Sequence, residues 1–310
     1  MSDRAFPTRT ISKPARSTAK GLTPEAFYAA AAVERHEIEG ATLALRSFGR
    51  GPALALIHGF PVHGYTWRKL LPALSETFTC YVVDLPGLGD GGWTPRSDLR
   101  FTAQARRLRL LFESLGLERY GLIAHDTGAT LARLVALEHP DRVARLALLN
   151  TEIPGHRPPW IPLYVRLAGL PGAAAIFATL MRSAWFLRSP MGLGEFYTDR
   201  SLFDDPSNLG PYVAPLLRSR ERMAGVLAYL RGAEWDVVDR LRDDHARIRA
   251  ESLWLWGEDD QTFPVARAEP MCAQMRARSR FVRIANASLM PHEEQPDAVL
   301  RHLIPFLSGD

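Results

Sequence analysis

The sequence predicts an α/β protein in which helices cover both faces of one mostly parallel sheet. Short β-rich apolar runs alternate with amphipathic helical stretches from about residue 33 onwards, which is typical of such sheets. The alternation stops once, between residues 151 and 247, where aromatic residues accumulate and no strand pattern occurs. The chain has 310 residues, 46% of them hydrophobic, and is therefore long enough to bury a large core.

Eight strands are predicted from apolar runs bounded by turn residues. They cover residues 33–38, 42–48, 53–57, 80–84, 121–125, 143–149, 252–256 and 281–284. The first two are separated by only a few residues, so we expect them to form an antiparallel hairpin. Helical periodicity covers residues 66–75, 99–115, 129–139, 265–278 and 296–307.

These patterns divide the chain into three parts. Residues 1–32 are predicted to be a flexible extension, and residues 33–154 and 247–310 to form the sheet and its helices. Residues 155–246, called the cap segment below, are predicted to be a helical insertion. Because the cap segment follows the carboxyl end of a strand, we expect it to cover the edge where open α/β sheets bind ligands. Trp160 and Trp185 are expected to line that pocket.

The formal charge of +4 argues against a nucleic-acid partner. Residues 1–20 contain five basic residues and one acidic residue, which leaves 33 of each sign in the rest of the chain. The folded part therefore lacks the basic face that a phosphate backbone requires. No apolar run reaches the roughly 18 residues of a membrane span, and we expect no secretory leader, because the sequence lacks a charged stretch followed by an apolar one at its start.

The two cysteines, Cys80 and Cys272, are far apart and have no metal-ligand spacing. Neither a disulfide framework nor a metal site is therefore expected, and a reducing compartment fits this usage. Together with the missing leader, this predicts a cytoplasmic protein without a cofactor.

The residues best placed for chemistry follow the carboxyl ends of the predicted strands. Asp126 lies at a sharp turn between a strand that ends at His125 and the next helix. Such a turn exposes one side chain at the top of the sheet and directs the amino end of the helix towards it. Phe60 follows the third strand, Asp260 the seventh and His292 the eighth. We therefore expect these residues to meet at one edge.

Three motifs in this order resemble the α/β-hydrolase superfamily from about residue 34 to the end. They are His-Gly-Phe-Pro at 58–61, His-Asp-x-Gly at 125–128 and Gly-x-x-Asp at 257–260. An Asp in place of the usual Ser at the turn resembles the branch of epoxide hydrolases, haloalkane dehalogenases and fluoroacetate dehalogenases. The resemblance implies an eight-stranded α/β-hydrolase sheet with a helical cap. It also implies a small apolar organic substrate, water as the second reactant, and a homodimer as an open expectation.

In that branch an ionised Asp attacks an sp³ carbon and forms an alkyl-enzyme ester, which water then hydrolyses. The resemblance assigns the nucleophile to Asp126 and the oxyanion hole to the backbone N–H groups of Phe60 and Thr127. A histidine oriented by Asp260 would activate the water. Some relatives carry the acid where this chain has Asn150, and Glu152 is the nearest alternative carboxylate.

The histidine departs from the family pattern. Relatives place it seven residues before the Pro that opens the last helix, and in this chain that position holds Leu289. Two alternatives remain open: the loop is re-registered so that His292 reaches Asp260 as the base, or His292 is a surface residue and the base is missing. Several further residues are expected around the substrate pocket: His58, His63, His125, Asn150 and Leu289.

The residues at the positions that assist the leaving group narrow the range of expected substrates. Thr127 and Phe60 stand where haloalkane dehalogenases have the Trp and Asn that bind halide. Thr127 and Thr130 stand where fluoroacetate dehalogenases have two Arg. Epoxide hydrolases protonate the opening oxygen with cap tyrosines, and Tyr229 lies one position from the expected place. Epoxide opening is the first hypothesis. The alternatives are C–halogen hydrolysis and a degenerate relative without a base, which binds a ligand or performs non-hydrolytic chemistry.

Overall fold

The computed structural model describes residues 21–309. Residues 1–20 of the predicted flexible extension therefore lie outside the described residues. Residues 21–32, the rest of that extension, are partly helical, because Pro24–Ala29 form a helix (α1) that Thr23 caps. Phe27 and Tyr28 of this helix are buried against Phe48, with ring centroids 5.4 and 6.0 Å apart. These two aromatic side chains bind the segment to the sheet, so the predicted boundary at residue 32 lies too far along the chain.

The eight predicted strands form one sheet, as expected. They are β1 Glu34–Ile38, β2 Ala41–Phe48, β3 Ala53–Ile57, β4 Thr79–Asp84, β5 Tyr120–His125, β6 Val143–Leu149, β7 Glu251–Gly257 and β8 Ser279–Ile284. Their spatial order is β1-β2-β4-β3-β5-β6-β7-β8. β2 pairs antiparallel with both β1 and β4, and all other neighbours are parallel. The hairpin and the mostly parallel sheet are thus confirmed.

The helices lie between and after these strands. Besides α1, the α-helices of residues 21–309 are α2 Leu71–Leu74, α3 Phe101–Ser114, α4 Thr127–Glu138, α5 Trp160–Ala168, α6 Ala173–Leu180, α7 Ala184–Arg188, α8 Pro206–Leu217, α9 Arg220–Arg231, α10 Trp235–Asp244, α11 Val265–Cys272, α12 Pro291–Glu294 and α13 Pro296–Ser308. Three short 3₁₀ helices cover Gly64–Trp67, Arg200–Phe203 and His245–Arg247. In the described part of the chain, none of the helices combines the length and the apolar composition that crossing a bilayer requires.

The sheet is buried on both faces. Along β3, Leu54 and Leu56 pack in the cluster that contains residues of α1 and α13, whereas Ala55 and Ile57 pack in the cluster that contains α3 and α4. This follows from the two-residue period of a strand. Every residue of β5 is buried. The central strands therefore hold the carboxyl edge of the sheet rigidly.

The cap segment contains α5 to α10, all of them between β6 and β7. Within it, α9 packs against α5, α6 and α8. Arg222 of α9 donates to the backbone oxygens of Gly89 and Gly91, at 2.7 and 3.1 Å, in the loop after β4. Arg68 donates to the hydroxyl of Tyr212 on α8 at 3.0 Å. Two sides of the cap segment are therefore tied to the loops at the carboxyl edge.

The start of α4 depends on a close backbone approach. A Cβ at Gly128 would lie 2.3 Å from the backbone oxygen of His58 and 2.6 Å from that of Ile57. We therefore expect Gly128→Ala to lower the free energy of unfolding by about 1–3 kcal/mol, measured by urea denaturation. Gly169→Ala is the control, because its Cβ would meet only the Arg166 oxygen at 3.5 Å, and it should change stability by less than about 0.5 kcal/mol. Equal stability of the two variants would contradict this account.

Candidate functional site

A largely apolar cavity lies between the cap segment and the carboxyl edge of the sheet. It has a volume of about 1090 Å³, its open mouth included. Its polar or ionisable lining includes Asp126, Thr127, Glu152, Tyr229 and Thr262. Much of the remaining wall consists of aromatic and aliphatic side chains of the cap segment, including Trp160, Phe177, Met181, Phe186, Leu227 and Trp235. An apolar wall with a few polar groups is the composition that small-molecule sites have.

Asp126 occupies the sharp turn between β5 and α4. Its φ of 51° and ψ of −129° lie in a region that L residues seldom adopt, at a cost of about 1–3 kcal/mol. Its N–H donates to the backbone oxygen of Asn150 at 2.8 Å. The turn also requires Gly59 opposite, since a Cβ there would lie 2.4 Å from the Cβ of Asp126. The surrounding backbone thus forces the Asp126 side chain to the cavity wall.

The backbone amides of Phe60 and Thr127 both act on the carboxyl group of Asp126. The Phe60 N–H donates to Oδ2 at 2.7 Å, and the Thr127 N–H at the start of α4 lowers the pKa of the same group. Burial, followed by the negative charge of Glu152, raises the pKa of Asp126 well above its ordinary value, while the two amides act in the opposite direction. The nucleophilic form therefore requires a higher pH than an exposed aspartate would.

Asp260 lies after β7, buried and fully hydrogen-bonded. Its Oδ2 accepts from Asn150 Nδ2 at 2.6 Å, and its Oδ1 accepts from the N–H groups of Thr262 and Phe263 at 2.8 and 2.9 Å. Burial outweighs these three donors and raises the pKa of Asp260 to about 7. Within residues 21–309 no histidine donates to this carboxylate.

His292 does not make the contact with Asp260 that the first alternative requires. Its Nε2 lies 2.6 Å from Thr66 Oγ1, and its ring packs between Trp67 and His125 at centroid distances of 4.6 and 4.7 Å. Burial lowers the pKa of His292 well below its ordinary value. It is not a surface residue either, because its side chain is 0% exposed. α12 begins at Pro291 and directs His292 inwards, away from the cavity that Leu289 lines.

The other histidines named from the sequence do not line the cavity. His58 accepts from the Leu85 N–H at 3.0 Å, and His125 Nε2 lies 2.8 Å from the backbone oxygen of Leu289. Burial lowers their pKa values to about 4 and about 3. His63 caps the 3₁₀ helix at Gly64–Trp67. These three side chains hold loops together behind the cavity wall.

Two further expectations for the pocket are also not met. Asn150 lies behind the cavity wall, because its side chain joins Asp260 to the Gly257 N–H. Trp185 is 79% exposed on α7, a helix of only five residues whose buried side chain is Phe186. Trp160 and Leu289 do line the cavity.

Tyr229 reaches the cavity from α9. Its hydroxyl lies 3.1 Å from Thr127 Oγ1, and its ring stacks on Phe60 with centroids 5.8 Å apart. Burial raises its pKa. The phenol is therefore a neutral hydrogen-bond donor beside the residues whose amides hold Asp126.

Glu152 is the residue whose place sequence reasoning missed. It lines the same cavity as Asp126 and is 2% exposed. Thr130 and Thr151 donate to its Oε2 at 2.7 and 2.9 Å. A signal existed, since Glu152 follows β6, the strand next to β5. From the sequence, Glu152 is predicted only as an alternative to Asp260 for the acid that orients the histidine.

In the part of the chain that the structure describes, no three His, Cys, Asp or Glu side chains are grouped so that they could hold a metal ion.

The raised pKa of Asp260 predicts a pH-dependent stability. Between pH 4 and 7 the folded protein keeps a proton at Asp260 that the unfolded chain has lost, so stability falls as pH rises, by about 1.4 kcal/mol per pH unit for this group. The free energy of unfolding, measured by urea denaturation at several pH values between 4 and 7, should therefore change with pH at different slopes in the unmodified protein and in Asp260→Asn. The exposed Asp243→Asn is the control and should keep the original slope. Parallel curves for all three proteins would refute the assignment.

Comparison with known proteins places this architecture in a family. The chain is 39% identical over 106 residues to a fluoroacetate dehalogenase from a Burkholderia species, which covers 33% of this chain and 35% of that protein. It thus matches about a third of that relative's length. Epoxide hydrolase 3 from Xenopus tropicalis is 27% identical over 280 residues, which is 84% of this chain and 72% of that protein.

A solved epoxide hydrolase, CorEH without ligand, superposes with a TM-score of 0.75 at 22% identity, over 90% of this chain and 99% of that one. At this identity the likeness concerns the fold alone. The family model described as "alpha/beta hydrolase fold" matches residues 52–296. The chain therefore belongs to the α/β-hydrolase family.

Proposed function

We propose that this hydrolase opens an epoxide on a small apolar substrate, with Asp126 as nucleophile and a covalent alkyl-enzyme ester as intermediate. The observation that supports it most is the carboxylate of Asp126, held by the Phe60 and Thr127 amides at the wall of an apolar cavity. An ionised carboxylate in this position can attack a carbon atom bound in the cavity.

Ring opening requires a proton for the departing oxygen. Tyr229 is the donor in this proposal, because its hydroxyl lies next to Thr127 and its ring next to Phe60. The C–O bond of the ring breaks as Asp126 forms the ester, and the phenol proton passes to the alkoxide.

Hydrolysis of the ester requires charge stabilisation at the carbonyl of Asp126. When water adds to that carbon, negative charge develops on an oxygen that the Phe60 and Thr127 amides already approach. One such donor is worth roughly 3 kcal/mol in comparable sites. The amides that hold the free carboxylate therefore also serve the second step.

The cavity lining favours a neutral substrate. Among the described residues that line it there is no Lys, Arg or His, so a substrate carboxylate would have no cationic partner. The apolar wall likewise suits a neutral organic epoxide better than a charged two-carbon acid. Relatives named epoxide hydrolase support this choice.

C–halogen hydrolysis is the second candidate. The relative named fluoroacetate dehalogenase supports it, and Trp160 and Trp235 bring indole groups, which can donate to a halide, into the cavity wall. This reaction uses the same nucleophile but needs no proton for its leaving group. The third candidate is a relative without a base, which binds a ligand under the cap segment, and Leu289 at the cavity wall favours it.

The ester can be detected through its oxygen atoms. In a single turnover of styrene oxide in H₂¹⁸O, the label should enter the Asp126 carboxylate, since water attacks Cγ and not the substrate. Asp126→Asn should lower turnover by at least about 10³-fold and form no adduct, as judged by intact-protein mass. Asp243→Asn, an exposed aspartate, is the matched control. Label found in the diol alone would overturn the covalent route.

Tyr229→Phe separates the two enzymatic candidates. Without the phenol, alkylation of Asp126 by an epoxide should slow by about 10²-fold or more, because the alkoxide lacks its proton. Alkylation by a 1-haloalkane of similar size should change by less than about threefold, since halide leaves as an anion. Rapid-quench mass spectrometry measures both rates in one protein. Equal slowing for the two substrates would mean that Tyr229 positions the substrate and donates no proton.

A further inference from the structure

The ester of the proposed function can be released only if some group accepts a proton from water. His292 lies behind the cavity, bonded to Thr66, and both oxygens of Asp260 are taken by Asn150, Thr262 and Phe263. Among the described lining residues, Asp126 and Glu152 are the carboxylates, and there is no imidazole. Asp126 itself is esterified at this stage, which leaves Glu152.

Glu152 adjoins the turn that carries the reacting carboxyl group. The hydroxyl of Thr151 is 2.8 Å from the backbone oxygen of Asp126 and 2.9 Å from Oε2 of Glu152. The charge of Glu152 also acts on the titration of Asp126. The two residues thus adjoin along the wall of one cavity.

The orientation of Glu152 leaves one oxygen available. Both threonine hydrogen bonds go to Oε2, and no residue of the described chain bonds Oε1. Arg133 holds the arrangement from behind, because its Nη2 donates to Thr130 Oγ1 at 2.8 Å, to Thr151 Oγ1 at 2.9 Å and to the Glu152 backbone oxygen at 3.1 Å. A carboxylate fixed by one oxygen can accept a water proton with the other.

We propose that Glu152 is the general base that hydrolyses the Asp126 ester, in the role that a histidine has in related enzymes. This inference rests on the proposed function. It adds a catalytic residue from the strand next to the nucleophile, one that would touch the attacking water through Oε1.

Every proton in the proposed reaction has a donor and an acceptor. Water adds its oxygen to Cγ of the ester and gives one proton to Glu152. The tetrahedral intermediate then collapses, the bond from Cγ to the ester oxygen that Asp126 supplied breaks, and Glu152 returns that proton to this oxygen, which leaves with the product. Asp126 is left as a carboxylic acid and passes its proton to the Tyr229 phenolate that ring opening produced. The sum is epoxide plus water to diol, with every residue restored.

A purely structural role predicts a different outcome. If Glu152 only balanced the charge of Arg133, its replacement would alter folding or every step equally. General-base catalysis concerns the second step alone. The two half-reactions must therefore be measured separately in the full-length protein.

Glu152→Gln keeps the shape and the acceptor for both threonines but removes the base. With styrene oxide, rapid-quench intact mass should show ester formation within about tenfold of the unmodified rate. Ester breakdown should be slower by about 10²–10⁴-fold, so that the adduct accumulates to nearly one per protein. Glu258→Gln, an exposed glutamate after β7, is the matched control and should release product normally.

Glu152→Asp keeps the charge beside Arg133 but shortens the side chain, and it covers the case in which the Gln variant fails to fold. Its ester should form and then break down more slowly than in the unmodified protein. Breakdown at the unmodified rate in the folded variants would overturn the base assignment while leaving the ester mechanism intact. An unmodified protein that holds the ester without releasing diol would overturn it too. If no protein forms the ester, the proposed function fails first.

Discussion

The hydrogen bond from the Phe60 backbone amide to the carboxylate of Asp126 is the constraint on which the site depends. It exists only because the chain passes from β5 into α4 with Asp126 at a φ of 51°. That conformation is stabilised by neighbours that leave no alternative: Gly59 and Gly128 permit contacts too close for any Cβ, and the Thr151 hydroxyl lies 2.8 Å from the Asp126 backbone oxygen. Packing of the parallel sheet therefore supports the strain at one residue.

The site concentrates carboxyl groups in an apolar environment. Asp126, Glu152 and Asp260 are all buried, and each has different donors: the Phe60 amide, two threonine hydroxyls, and an asparagine with two amides. Arg133 is the buried cation behind the threonines, and burial lowers its pKa to about 10, which leaves it charged at neutral pH. Burying carboxylates without such donors would cost several kcal/mol each.

His292 and Glu293 serve the attachment of the cap segment. Glu293 forms an ion pair with Arg68 at 3.0 Å and accepts from the Tyr212 hydroxyl, while His292 packs against Trp67 next to it. The loop after β8 thus joins α8 to the sheet. Leu289 of the same loop lies at the cavity wall and makes the pocket more apolar.

The sequence by itself determined the eight strands, their mostly parallel order and the position of Asp126, because strand periodicity and a strand–turn–helix junction are local properties of the chain. It also placed Phe60 and Asp260 at the right edge, since the carboxyl ends of parallel strands meet there. Only the tertiary structure decided which side chains share the cavity: a one-residue difference in helical rotation brings Tyr229 in, Pro291 turns His292 away, and the short α7 leaves Trp185 in solvent. The tertiary structure also makes Glu152 a neighbour of Asp126. Contacts between adjacent strands join residues that are distant in the chain, and such contacts leave no periodic pattern in the sequence.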